Sequence, residues 1–174
     1  MRYEAAPDWT TYLDGTIKHH DLWTAVDRHV ALLPQVVERA RAAADRAGIR
    51  HILVLSEDWC GDAVNIVPWV ARLAEQLPVV DLRVFGRDIS PDLMACHLTG
   101  TSKSIPIVVL LDAEFRELGW WGPRPGALQR WVVEEGLAMA REDRYREVRK
   151  WYARNKGQAI LEELIKLMET ATTA

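Results

Sequence analysis

The sequence predicts an α/β fold, a sheet of about four strands flanked by helices, and three stretches carry that prediction. His51-Ile52-Leu53-Val54-Leu55 is a run of strand formers, apolar almost throughout, as in a strand covered on both faces. It opens into Ser56-Glu57-Asp58-Trp59-Cys60-Gly61-Asp62-Ala63, beyond which Val64, Val67, Leu73 and Leu77 follow a helical pattern. Further on, Ile105-Pro106 leads a second strongly apolar strand that runs to Leu111. The proline belongs at its start, because proline cannot donate inside a ladder.

The remaining elements follow in order. Residues 1–20 read as an irregular or short-helical lead, interrupted by Pro7 and Gly15, with Trp9 and Tyr12 packed onto the domain. Asp21 is placed to cap a helix through Leu22, Trp23, Val26 and Val30. Pro34 starts a second helix or kinks a continuous one; Val37, Ala40, Ala44 and Ala47 form its stripe, and Gly48 stops it. The helix after the cysteine carries Pro68, which should kink it. Asp81 to Phe85 is the next strand, and Ser90 a cap for a short helix to Leu98. After a polar loop and the proline-led strand, Phe115 to Trp121 makes the last strand, stopped by Gly122-Pro123-Arg124-Pro125-Gly126. Ala127 to Ala140 is helical, with Leu128, Trp131, Val132 and Leu137 inward. Arg141 to Lys150 reads as a solvated helix face or connector. Beyond Gly157, the stripe Ile160, Leu161, Leu164, Ile165 and Met168 either packs on the domain or forms a partner face, such as that of a homodimer.

Composition narrows the function classes. A chain of 174 residues has the size of one domain. Its 22 basic and 25 acidic residues argue against a general nucleic-acid or anionic-membrane binder. The longest clean apolar run, Ile105 to Leu111, cannot span a bilayer. Met1 to Tyr12 has neither a basic nor an apolar leader region, and two cysteines make no disulfide framework, so a reducing cytoplasm is the expected compartment. His19, His20 and His29 read as surface or helix-packing residues without a ligand pattern, and neither metal nor cofactor is expected.

Cys60 is the candidate reactive group. Between a buried strand and a helix N-terminus, backbone N–H groups and the helix dipole favour the thiolate. Glu57, Asp58 and Asp62 oppose it by like-charge repulsion, although the same dipole favours acids in a first turn. Cys96 is the internal candidate for a resolving thiol, but reads better as a packed helix cysteine, with His97 on the helix surface.

This order of elements, with Trp59-Cys60-Gly61 after one buried strand and Ser104-Ile105-Pro106 before another, resembles the thioredoxin fold. The runs Ser56 to Ala63 and Gly119 to Pro125 resemble, more narrowly, a bacterial thioredoxin-like subgroup with a Trp-Cys-Gly-Asp motif that lacks the second active-site cysteine. The resemblance covers about residues 30–140 of a single domain and implies a three-layer sandwich with a mixed sheet. Extra helices are expected in the extensions 1–29 and 141–174. It implies Cys60 as the attacking cysteine, Trp59 beside it, Pro106 as the facing cis-proline, and Ile105 as a backbone contact to substrate. Gly61, Asp62 and Arg124 would border the substrate groove, with Arg124 offering a charge to a substrate carboxylate. Two departures matter. Ala63 replaces the resolving cysteine and Val54 the buried aspartate, so dithiol exchange is excluded. The resulting expectation is a monothiol oxidoreductase acting on a protein disulfide or a low-molecular-weight thiol; the alternative is a redox-inactive binding or adaptor module.

Overall fold

In the computed structural model, which describes residues 2–171, four helices precede the first strand. They are α1 (Arg2–Ala5), α2 (Trp9–Gly15), α3 (His20–His29) and α4 (Pro34–Ala47). Next come β1 (His51–Ser56), α5 (Gly61–Glu75), β2 (Asp81–Gly86) and α6 (Pro91–Cys96). Then follow β3 (Ile107–Leu111), β4 (Glu117–Trp121) and α7 (Gly126–Glu134). A 3-10 turn, Gly136–Ala138, leads to α8 (Arg141–Asn155) and α9 (Gln158–Thr170).

The sheet order is β2-β1-β3-β4, with β1 parallel to β2, antiparallel to β3, and β3 antiparallel to β4. This is the predicted mixed sheet of four strands, flanked by helices. All of β3 and all of β1 except His51 are buried, which explains their uninterrupted apolar runs. Register sets the site. Leu55 pairs with Ile107, so the cysteine loop leaves β1 where the Ile105-Pro106 segment enters β3.

The N-terminal helices brace that loop. Trp23 is fully buried, and its Nε1 donates to the Asp58 carbonyl at 3.0 Å. Trp9 donates to Asp27 at 3.1 Å, and Asp27 pairs with Arg72 of α5. Pro34 opens α4 and Gly48 closes it, as expected. Asp21 does not cap α3: the helix begins two residues earlier than such a cap would place it and leaves Asp21 in its first turn, with His19 at the cap. The helix after Gly126 is shorter than expected, ending at Glu134 before a turn at Gly136, so Leu137 is exposed rather than inward. The apolar stripe of α9 is buried within the chain, where α9 packs on α4, α5 and β4. Among the described residues no helix is long and apolar enough to cross a membrane.

Candidate functional site

Cys60 is the N-cap residue of α5, with extended backbone that turns the loop into the helix. Only 8% of it is exposed, and its Sγ–H donates to the Ile105 carbonyl at 3.5 Å. The Ile105–Pro106 peptide is cis, as is Gly122–Pro123. Trp59 stands beside the thiol with 40% of its surface exposed. Arg87 lies over the Trp59 ring, 4.9 Å from its centroid, and donates to the Lys103 carbonyl at 3.2 Å. The cysteine loop, the end of β2 and the segment before Pro106 therefore converge on one surface.

Electrostatics decides what the sequence left open about the thiol. Burial pushes the Cys60 thiol up. The Ala63 and Asp62 N–H groups at the helix start pull it down, the Asp62 carboxylate raises it, and the Arg124 guanidinium lowers it. Burial wins, so the resting group is the protonated thiol.

The three neighbouring acids divide their work. Glu57 accepts the Asp88 N–H at 3.0 Å and so ties the loop to the end of β2. Asp58 accepts the N–H groups of Ile17 and Lys18 at 3.0 and 2.9 Å, fixing the turn into α3. Asp62 alone is buried, and it faces inward. Its Oδ2 lies 2.5 Å from Nη2 of Arg124, and its Oδ1 accepts from the Tyr152 hydroxyl at 2.9 Å. Arg124 also donates to Gln129 at 2.9 Å. Burial works against the Arg124 charge, but Asp62 more than offsets it. Burial, then the Asp62 charge, holds the Tyr152 hydroxyl well above the usual tyrosine range, so it remains a donor. The triad thus joins the start of α5, the loop after β4, and α8, and its Asp62 and Arg124 charges both act on the cysteine.

Asp58 yields a test of how the loop is held. Burial opposes its ionisation, yet the Lys18 and Ile17 N–H groups prevail and hold its carboxyl below the usual range. A depressed folded value contributes stability above the unfolded value and loses it as pH falls through the folded one. Asp58→Asn is expected to destabilise by about 1 kcal/mol at neutral pH. In urea titrations the gap from wild type should close as the pH falls below the ordinary aspartate value of ~3.9.

The structure brings Cys60, Trp59, Ile105 and Pro106 together, with Gly61 opening α5. Asp62 and Arg124 reach the same region but turn onto each other, so most of the Arg124 charge is spent inside the protein. Cys96 is exposed, not packed, and both cysteines are free. His97 is buried, not on the helix surface: Nδ1 donates to the Leu93 carbonyl at 2.7 Å and Nε2 lies 3.0 Å from Glu117. A six-residue helix gives too few turns to phase its faces from sequence, which explains the exchange of these neighbours. Tyr152 escaped the sequence reading; its signal was a lone aromatic pair after a charged run. Among the described residues no group of three or more His, Cys, Asp or Glu side chains is placed to hold a metal ion.

Sheet order, cysteine-capped helix and proline-led strand define a thioredoxin-like protein. The chain belongs to the thioredoxin family, whose model matches residues 6–154. Two crystal structures share its fold. One is a protein of unknown function from Pseudomonas aeruginosa, 19% identical with a TM-score of 0.72 over 96% of this chain and 94% of that one. The other is an HIV epitope-scaffold, 18% identical with a TM-score of 0.72 over 98% and 96%. No curated protein matches the chain in sequence.

Proposed function

We propose that the protein is a monothiol thiol–disulfide oxidoreductase acting through Cys60. The observation that carries this reading is the 3.5 Å contact between the Cys60 sulfur and the Ile105 carbonyl, which sets the thiol against the main chain before Pro106. A disulfide lying along Ile105 and Pro106 meets that sulfur, with the exposed face of Trp59 beside it. Gly61 leaves the start of α5 open, with no atom within 4 Å of where a side chain would begin. The Cys60 thiol gives up its proton and its sulfur attacks the substrate disulfide; the departing sulfur leaves as a thiol. The product is a mixed disulfide on Cys60. Ala63 offers no thiol to resolve it, so an external thiol attacks the adduct, restores the Cys60 thiol and leaves in a new disulfide. The Trp-Cys-Gly-Asp run fits the bacterial monothiol subgroup, and a reducing cytoplasm supplies the thiol that closes the cycle. A protein disulfide or a low-molecular-weight one is the substrate.

The test needs a Cys96→Ser background, since Cys96 is exposed and would react with any reagent. Exposure to excess hydroxyethyl disulfide should add one thiol-sized adduct to the intact mass, removed by added thiol and absent when Cys60 is also serine. The burial of Cys60 favours a second reading, a redox-inactive binding module on the same scaffold. Absence of any adduct at Cys60 under oxidant excess would assign that reading instead.

A further inference from the structure

A cavity of about 330 Å³ opens beside the Asp62–Arg124 pair, and the exchange cycle above makes no use of its polar wall. Asp62 and Arg124 form one side, and Ser104 and Thr99 of the polar loop form another. Arg144 closes it from α8, and Val132 and Val148 give it an apolar floor. Cys60 does not line it, but two lining residues connect the cavity to the thiol: Asp62 is two residues along α5 from Cys60, and Ser104 immediately precedes Ile105, whose carbonyl the thiol contacts.

Three observations point to a ligand. Nε of Arg124 is buried without a hydrogen-bond partner, although both terminal nitrogens are engaged. The Thr99 hydroxyl is buried without one as well. Buried polar atoms are seldom left unpaired, and the two residues that carry these both line one cavity. Third, Arg144 reaches only the Gly136 carbonyl at 3.4 Å and the face of Tyr145, with no carboxylate within ion-pair distance among the described residues. Arg124 is neutralised by Asp62, so Arg144 leaves the cavity with an uncompensated positive charge.

We propose that this cavity binds a small organic carboxylate with a short aliphatic body. The carboxylate lies toward Arg144 and accepts from the Thr99 hydroxyl and the Arg124 Nε–H, while the carbon chain rests on Val132 and Val148. Resting further on the reading of Cys60 as the attacking thiol, the substrate is a carboxylate-bearing low-molecular-weight disulfide. Its anionic end is anchored here and its sulfur bond reaches Cys60. Attack joins one half of the disulfide to Cys60 and releases the other half as a thiol that carries away the proton.

Two measurements separate the site from the chemistry. The first titrates thiodipropionate, a thioether that cannot exchange, into the Cys60→Ser protein by calorimetry. Saturable binding is expected, weakened roughly ten-fold in Arg144→Gln and in Thr99→Val. Absence of saturable binding, or equal binding by all three proteins, overturns the proposal. The second compares dithiodipropionate with cationic cystamine on the Cys96→Ser protein, each rate divided by that with a free thiol. The anionic disulfide should react faster, and the ratio should fall in Arg144→Gln; a ratio of one or less overturns the substrate assignment. If thiodipropionate binds and no disulfide reacts, the carboxylate site stands and the oxidoreductase reading fails.

Discussion

Replacing Arg124 by methionine is expected to destabilise the protein by about 3 kcal/mol, the lower end of the cost of breaking a buried ion pair. The lower end applies because the Arg124 side chain keeps 21% exposure while that of Asp62 keeps 6%. The substitution preserves much of the aliphatic stem and removes the cation, so the buried Asp62 carboxyl keeps the Tyr152 hydroxyl as its remaining side-chain donor. Tyr152→Phe deletes a single donor and should cost less, about 1–3 kcal/mol. The two changes touch the same carboxylate, so their combined effect should depart from the sum of the separate ones. Urea titrations followed by tryptophan fluorescence measure all three. A loss below about 0.5 kcal/mol for Arg124→Met would mean that the triad is not a structural unit.

Gly122→Ala is expected to be comparably damaging, at about 2–6 kcal/mol. Gly122 has φ +137, a backbone conformation that disfavours side chains, and a Cβ there would lie 2.3 Å from the Pro106 carbonyl oxygen. That neighbour is main chain and cannot rotate away. Relief therefore displaces either the segment before β3 or the loop carrying Arg124, and both define the thiol's surroundings. Gly61→Ala is the matched control, since no atom lies within 4 Å of its Cβ position and the residue begins a helix. Thermal unfolding should show a large drop for Gly122→Ala and a shift of about 1 kcal/mol or less for Gly61→Ala.

What the sequence discloses follows from how local each signal is. The β1 run, the helix after Cys60 and the proline at the head of β3 are each set within a few residues, so period and ring chemistry suffice to find them. The Gly48 stop and the Pro34 start are equally local. The triad is not: Asp62, Arg124 and Tyr152 stand far apart in sequence, and their residue types equally suit a first-turn acid, a loop arginine and a helix aromatic. Their meeting depends on α8 bringing Tyr152 back to the start of α5, which no periodicity announces. The same applies to the thiol. Its place at a helix N-terminus was legible, but the burial that outweighs that helix is a property of the packed protein.

The measurement that tests the central claim most directly is the rate of Cys60 modification by hydroxyethyl disulfide against pH, in the Cys96→Ser protein. If Cys60 is the nucleophile and burial outweighs the helix N-terminus, the rate rises with pH through a midpoint above the ordinary cysteine value of ~8.5. It should vanish in Cys60→Ser. A folded protein whose Cys60 stays unmodified at every pH would contradict the exchange chemistry, and a midpoint at or below the ordinary value would contradict its control by burial.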